Sequence, residues 1–453
     1  MTRLLPLLIL IATLAAATPL DDYVRAEDPT YSWSEVARLP GKGYTARVLE
    51  LTSQSWVTPQ PADRSVWKHW LVAYEPETVS SDTGLLFISG GANGGEPPAK
   101  PNDGLAAIAA GTNTITAELR MVPNQALSYD GDSFGERKED ELIAYNWKRF
   151  LDEGEPTWLT RLPMTKAAVR AMDALGELDD RLKRFYVMGA SKRGWTTWTT
   201  AAVDERVVGI SPIVIDLLNI RPSFVHHYRA YGFWAPSVGD YFREGIMDRF
   251  DSKEYQELLE ITGPYSYRER YTMPKFIVNA AGDQFFLPDS SQFYFDDLPG
   301  EKYLRYIPNT DHSLEDSDAL ESLTAFYHAV VNNQPRPRFD WSFEDDGSIR
   351  IVPEDNPTTV TLWQAHNPRH RDFRLESVGP IYKSSALAPE SDGSYVGRIK
   401  TPEQGFTAFF VELVYPSGAK HPFKFTSGVR VLPDRYPFAR PEPGKTRVGP
   451  RKQ

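Results

Sequence analysis

The residues able to do chemistry in this chain begin with Ser191, in Phe185-Tyr-Val-Met-Gly-Ala-Ser-Lys-Arg-Gly194, where an apolar run breaks at Gly189 and runs into what reads as a helix start. A serine on a sharp strand-to-helix turn is presented clear of a sheet as a nucleophile, and its neighbours must be small because side chains there would collide. Gly189 and Ala190 are small, but the usual G-x-S-x-G spacing is not met: Arg193 holds the last position and Gly194 comes one residue later. Two later apolar runs lead to the partners such a serine needs. Lys275-Phe-Ile-Val-Asn-Ala-Ala-Gly282 ends at Asp283, and Tyr303-Leu-Arg-Tyr-Ile-Pro308 runs into Asn-Thr-Asp-His312. In a catalytic triad a histidine takes the serine proton and an acid fixes the imidazole tautomer, so His312 is the expected base and Asp283 the expected acid. Asp216 also ends an apolar strand and is an alternative acid, with Asp289 a third.

The fourth component lies upstream, in Gly84-Leu-Leu-Phe-Ile-Ser-Gly-Gly-Ala-Asn-Gly-Gly95. Paired glycines after a strand let the backbone fold close to a ligand and present N–H groups, so Gly90, Gly91, Ala92 and Asn93 are expected, with the N–H of Lys192, to receive an oxyanion. A plain flexible loop is the other reading of this segment.

These residues require strands and helices in alternation. Ala46–Thr52, Trp70–Tyr74 and Thr114–Leu119 read as early strands, Asp140–Phe150 and Pro163–Leu175 as helices, and Val207–Ile215 as the strand after the serine's helix. That alternation predicts an α/β fold with a mostly parallel sheet covered on both faces, and the order Ser191, Asp283, His312 is that of an α/β-hydrolase. The expected hydrolase domain spans residues 18–334, with a helical cap inserted at about 217–272. Aromatic residues crowd the cap, among them Phe224, Tyr228, Tyr231, Phe233, Trp234, Tyr241 and Phe242, and either pack it onto the sheet or line a pocket. His226 and His227 are adjacent, so their side chains diverge, and no carboxylate pattern accompanies them; no metal and no cofactor is expected. From Trp341 to Leu432 short strand-like runs separated by Asp-Gly and Ser-Gly turns predict a small antiparallel β-sandwich over 335–438, buttressing the hydrolase or binding a ligand. Residues 439–453 read as a disordered basic tail.

Composition excludes several classes. A formal net charge of -11 without a basic stripe argues against nucleic acid as a partner. Arg3, the apolar stretch Leu4 to Leu14 and Ala15-Ala-Ala17 form an expected signal peptide, residues 1–17, too short for a membrane span. With no cysteine there is neither a lipid attachment site of that kind nor a disulfide framework. Export to the periplasm or outside the cell is expected, and the oligomeric state is not legible.

Longer blocks carry a family resemblance. Gly90-Gly-Ala-Asn93, Val122-Pro-Asn-Gln125, Glu139-Asp-Glu-Leu-Ile-Ala-Tyr145, Leu162-Pro-Met-Thr-Lys166, Gly189-Ala-Ser-Lys-Arg-Gly-Trp-Thr-Thr-Trp198, Asp216-Leu-Leu-Asn219 and Gly428-Val-Arg-Val-Leu-Pro433 resemble the PhoPQ-activated pathogenicity-related proteins, from about Tyr23 to about Phe438. The resemblance implies an α/β-hydrolase fold and export without fixing a substrate. A second, shorter resemblance is to glucuronoyl esterases, whose elbow has the form G-C-S-R-x-G; it would put Lys192 where a basic residue helps hold the oxyanion, although an ordinary helix-start lysine fits as well. The expected function is a secreted serine hydrolase that cleaves an ester or amide bond of a small-molecule or peptide acyl substrate through an acyl-enzyme. The alternative is a catalytically inactive secreted binding or signalling protein on the same fold.

Overall fold

The computed structural model describes residues 17–452, so the expected signal peptide lies outside the described residues except for Ala17. Strands β1 (Ser32–Gly41), β2 (Tyr44–Ser55) and β3 (Val66–Pro76) form an antiparallel meander. They are followed by β4 (Thr83–Ile88), β5 (Thr116–Leu119), β6 (Arg184–Ala190), β7 (Val207–Ile213), β8 (Lys275–Ala280) and β9 (Lys302–Ile307). Across the sheet the order is β1-β2-β3-β5-β4-β6-β7-β8-β9. β3 meets β5 antiparallel, and every junction from β5 to β9 is parallel. This is the α/β-hydrolase order, with the crossover of β4 and β5 ahead of the strand that carries the serine. β8 is buried along its whole length, as a central parallel strand covered on both faces must be. β1, by contrast, alternates exposed and half-buried positions at the sheet edge, and its sequence carries no apolar run to betray it.

Helices α1 (Pro19–Arg25), α2 (Asp103–Thr112), α3 (Glu139–Glu153), α4 (Arg161–Leu178) and α5 (Lys192–Val203) precede the cap helices α6 (Ile220–Tyr231), α7 (Gly239–Arg243) and α8 (Lys253–Thr262), and α9 (Ala319–Val331) follows. The sheet separates two apolar cores. One collects Leu20 of α1, Leu142 of α3, Met172 of α4 and Trp198 of α5; the other collects Leu105 of α2 and Phe326 of α9. Pro163 sits inside the first turn of α4, where its missing N–H has no intrahelical acceptor to lose. Among the described residues no helix is long and apolar enough to cross a membrane.

The C-terminal region contributes β10 (Phe339–Phe343), β11 (Ile349–Pro353), β12 (Thr359–Asn367), β13 (Lys383–Ala386), β14 (Tyr395–Gly397), β15 (Phe406–Tyr415), β16 (Phe423–Thr426) and β17 (Arg430–Leu432). β10, β11 and β14 form one small sheet, and Ile349 and Ile351 of β11 share a core with Val411 and Leu413 of β15 in the other layer. That second layer is not free-standing. β16 pairs antiparallel with β9 through Thr426 and Leu304, so hydrogen bonding runs from the central sheet into the C-terminal strands, across the boundary expected near 334. The tail differs from expectation. It lies along the cap: Trp234 N–H donates to Arg447 O at 2.8 Å and Gly449 N–H donates to Trp234 O at 3.0 Å, while just before it Phe438 N–H donates to Arg229 O at 3.1 Å. Its side chains are mostly exposed, but its paired backbone groups and the close approach of Gly449 to the Phe233 ring hold it in place despite a basic, proline-rich composition.

Candidate active site

Ser191 sits between β6 and α5 with φ 57° and ψ -124°, a backbone conformation that costs a non-glycine residue about 1–3 kcal/mol and persists only where its surroundings enforce it. Here they do. Ser191 N–H donates to Ile213 O of β7 at 2.8 Å, and Trp195 N–H closes the first helical turn on Ser191 O at 3.0 Å. A Cβ on Gly189 would lie 2.5 Å from Arg193 O, and one on Gly194 would lie 2.8 Å from the Ile215 side chain and 2.9 Å from Gly189 O. The glycine that must approach the neighbouring strand is thus Gly194, and Arg193 is free to carry a long side chain. That side chain leaves α5 for the loop after β5: Arg193 Nε donates to Val122 O, and its two terminal nitrogens grip Glu139 at 2.6 and 2.9 Å.

Asp283 and His312 come together. His312 Nδ1 is 2.8 Å from Asp283 Oδ2, while Asp283 Oδ1 accepts the backbone N–H of Phe285 at 2.7 Å and of Phe286 at 3.3 Å. The two loops are locked to one another, since Gly282 N–H donates to Thr310 O at 3.0 Å and a Cβ on Gly282 would lie 2.7 Å from that oxygen. His312 packs on the Phe285 ring with centroids 4.4 Å apart, and its other nitrogen, Nε2, is buried with no hydrogen-bond partner among the described residues. Phe285 and Phe286, the two rings that His312 packs against, line the same cavity as Ser191.

The alternative acids are engaged elsewhere. Asp216 accepts Tyr294 Oη–H at 2.6 Å and Tyr306 Oη–H at 2.7 Å; burial, with Asp283 and Asp289 nearby, pushes its carboxyl up to about 8 despite those bonds. Burial acts on Asp289 in the same sense, but Arg371 and His226 overcome it and hold that carboxyl well below the usual range. His226 is therefore a partner of Asp289 and, at 2.8 Å, of Tyr436, while His227 Nε2 accepts Ala235 N–H at 3.0 Å.

In the glycine loop the N–H groups of Gly90, Gly91 and Ala92, like that of Lys192, have no protein acceptor among the described residues. Asn93 differs from expectation, because its N–H is engaged by Gln125 O. A Cβ on Gly90 would lie 2.7 Å from Arg193 Nη2, so any larger residue there would displace the Arg193 guanidinium. The Lys192 ammonium, read from sequence as a possible oxyanion ligand, is turned to Glu139 and Asp140, 2.9 Å from each carboxylate. Burial opposes ionisation of Glu139, yet Arg193 and Lys192 together lower its carboxyl to about 2. Glu139 is itself pinned at the start of α3 with φ 52°, its N–H donating to Gln125 Oε1 at 2.6 Å.

The cavity beside Ser191 measures about 30 Å³ and is walled by Trp147, Trp195, Phe224, Tyr241, Phe285 and Phe286, with Arg161 and Lys192 among the polar lining. Phe224 and Tyr241 come from the cap, whereas Trp234 is fully buried against other cap rings. Sequence reasoning missed Arg161, Arg193, Glu139 and Asp140 as members of the site; the acidic block Glu139-Asp140-Glu141 opening a helix was their one visible signal.

Over 97% of this chain and 95% of its own length, the autocrine proliferation repressor protein A of Dictyostelium discoideum is 38% identical. Among solved structures, acetyl xylan esterase 1 from Thermoanaerobacterium sp. is 18% identical with a TM-score of 0.47, over 68% of this chain and 90% of that one. A glucuronoyl esterase from Solibacter usitatus is 15% identical with a TM-score of 0.36, over 60% and 75% of the two chains. Residues 20–374 match the family model described as PhoPQ-activated pathogenicity-related protein, and the chain belongs to that family.

Proposed function

We propose that the protein is an exported serine hydrolase that cleaves an ester or amide bond through a Ser191 acyl-enzyme. The observation that carries this reading is His312: one imidazole nitrogen is held by a buried carboxylate, and the other is buried without a partner beside the cavity that Ser191 lines. A neutral imidazole held through Nδ1–H on Asp283 has its Nε2 lone pair free to take a proton. Ser191 Oγ then attacks the substrate carbonyl carbon as its proton passes to His312 Nε2, and Asp283 stabilises the imidazolium. The oxygen that gains charge is received by N–H groups of Lys192 and of the Gly90–Ala92 loop. Collapse expels the alcohol or amine, which leaves with the proton from His312; water repeats the sequence in reverse and frees Ser191.

The Lys192 ammonium acts at one remove in this scheme. Paired with Glu139 and Asp140, it fixes the first turn of α5 rather than adding a free positive charge at the oxyanion. Export rests on Arg3 and the apolar stretch ending in Ala15-Ala-Ala17, and N-terminal sequencing of the mature protein is expected to begin near Thr18.

Turnover of a panel of short acyl esters and peptides tests the reading. The wild type should hydrolyse some of them and Ser191→Ala none. A folded wild type inert on the whole panel, whose biological effect survives Ser191→Ala, would favour a binding or signalling protein, the reading that the name of the Dictyostelium relative suggests.

A further inference from the structure

Three cations stand near Ser191, Arg161 and Lys192 lining its cavity and Arg193 outside it, and two of the three have carboxylate partners. Lys192 is 2.9 Å from both Glu139 and Asp140, and Arg193 is chelated by Glu139. Arg161 is the third. It is 2% exposed and lines the cavity, yet among the described residues it forms no ion pair. One terminal nitrogen donates to Lys192 O at 2.8 Å, and the guanidinium lies 4.2 Å over the Trp195 ring. Its contact with acid is indirect: it hydrogen-bonds to Tyr241, whose hydroxyl donates to Asp140 Oδ1 at 3.0 Å. Its Nε–H is buried with no acceptor among the described residues. Asp140 lines the same cavity, but it is the ion-pair partner of Lys192 and reaches Arg161 only through Tyr241. Burying a guanidinium with a donor unmet and no carboxylate bonded to it is costly, and such an arrangement is found where a ligand completes it.

We propose that Arg161 receives a carboxylate carried by the substrate itself, so that the preferred substrates are esters or amides with an anionic group a short distance from the scissile carbonyl. This rests on the hydrolase reading and names its substrate class. A planar, fork-shaped guanidinium suits a carboxylate, which it can meet with two parallel N–H bonds. At about 30 Å³ the cavity has room for about two waters, the size of a carboxylate rather than of a long acyl chain. Its walls of Trp147, Trp195, Phe224 and Phe285 exclude water and so strengthen a charge-assisted bond. Neutral substrates would leave the Arg161 donor unmet, which is how a buried polar group discriminates between substrates.

The test compares p-nitrophenyl butyrate with the p-nitrophenyl monoester of glutarate. For the wild type, kcat/KM is expected to favour the anionic ester by about ten- to a hundredfold. In Arg161→Gln that ratio should fall to near one, whatever the absolute rates, and Arg161→Lys should give an intermediate ratio. A wild type that turns over both esters equally overturns the inference and leaves the hydrolase reading intact. If the variants fail to fold, calorimetric titration of glutarate into Ser191→Ala decides: heat of binding supports the anion site, and its absence overturns it. Binding of glutarate by a protein that hydrolyses nothing would overturn the hydrolase reading alone.

Discussion

Two acids stand at the ends of neighbouring parallel strands, and their surroundings give them opposite characters. Asp216, after β7, is clasped by the hydroxyls of Tyr294 and Tyr306 and pushed up to about 8 by burial, so its carboxyl holds a proton through most of the neutral range. Asp283, after β8, meets two backbone N–H groups and an imidazole, all donors suited to a carboxylate. Sequence position makes either one a triad acid; what separates them is the kind of group that faces each. A phenol pair can be satisfied by a neutral acid, whereas at Asp283 backbone amides face one oxygen and a histidine faces the other.

The comparison can be broken or sharpened by mutation. On the proposed mechanism His312→Ala has the largest effect, a loss of about ten-thousandfold or more in kcat, because no other group at the site takes the serine proton. Asp283→Asn should cost about a thousand- to ten-thousandfold in kcat by allowing the wrong imidazole tautomer. Asp216→Asn should leave kcat/KM within a few-fold, since an amide replaces a carboxyl that is already neutral. Equal losses from the two asparagine variants, measured on one ester, would erase the distinction drawn here.

Stability against pH distinguishes the two acids without any substrate. A folded-state value near 8 against an ordinary 3.8 means the native state holds a proton at Asp216 that the unfolded chain has released. Stability from this site is thus fully present below about pH 4 and is lost as pH rises toward 8, at a slope of about 1 kcal/mol per pH unit. Denaturant titrations from pH 5 to 8 should show this slope in the wild type and lose it in Asp216→Asn. Glu139 has the opposite sign: its carboxyl, lowered to about 2 from 4.5, adds stability that is present above about pH 4.5 and lost as pH falls toward 2. Glu139→Gln, which strands Arg193 and leaves Lys192 with Asp140 alone, should cost about 1–2 kcal/mol at neutral pH, solvent at the half-exposed Glu139 damping the effect.

Much of the site was legible because buried parallel strands are written as apolar runs. Such runs end abruptly at Gly189, Gly282 and Pro308, and the chemistry lies just beyond. What was not legible is set by long-range pairing. Arg193 lies 54 residues from Glu139, and nothing local announces that the departure from G-x-S-x-G exists to tie α5 to the loop after β5. The choice of acid stayed open for the same reason, since Tyr294 and Tyr306 approach Asp216 from 78 and 90 residues away. β1 and β13 escaped notice as half-buried or exposed edge strands, and β16 is only four residues long, yet β16 is the strand that ties the C-terminal layers to the central sheet. The tail misled in the other direction, its composition reading as disorder although its backbone pairs with Trp234.

The central claim is that Ser191 is an activated nucleophile, and peptide mapping after treatment with a fluorophosphonate tests it most directly. The account predicts a single covalent adduct on the peptide containing Ser191, absent from Ser191→Ala and strongly slowed in His312→Ala. A folded wild type that takes up no label, or carries it on another residue, would contradict it.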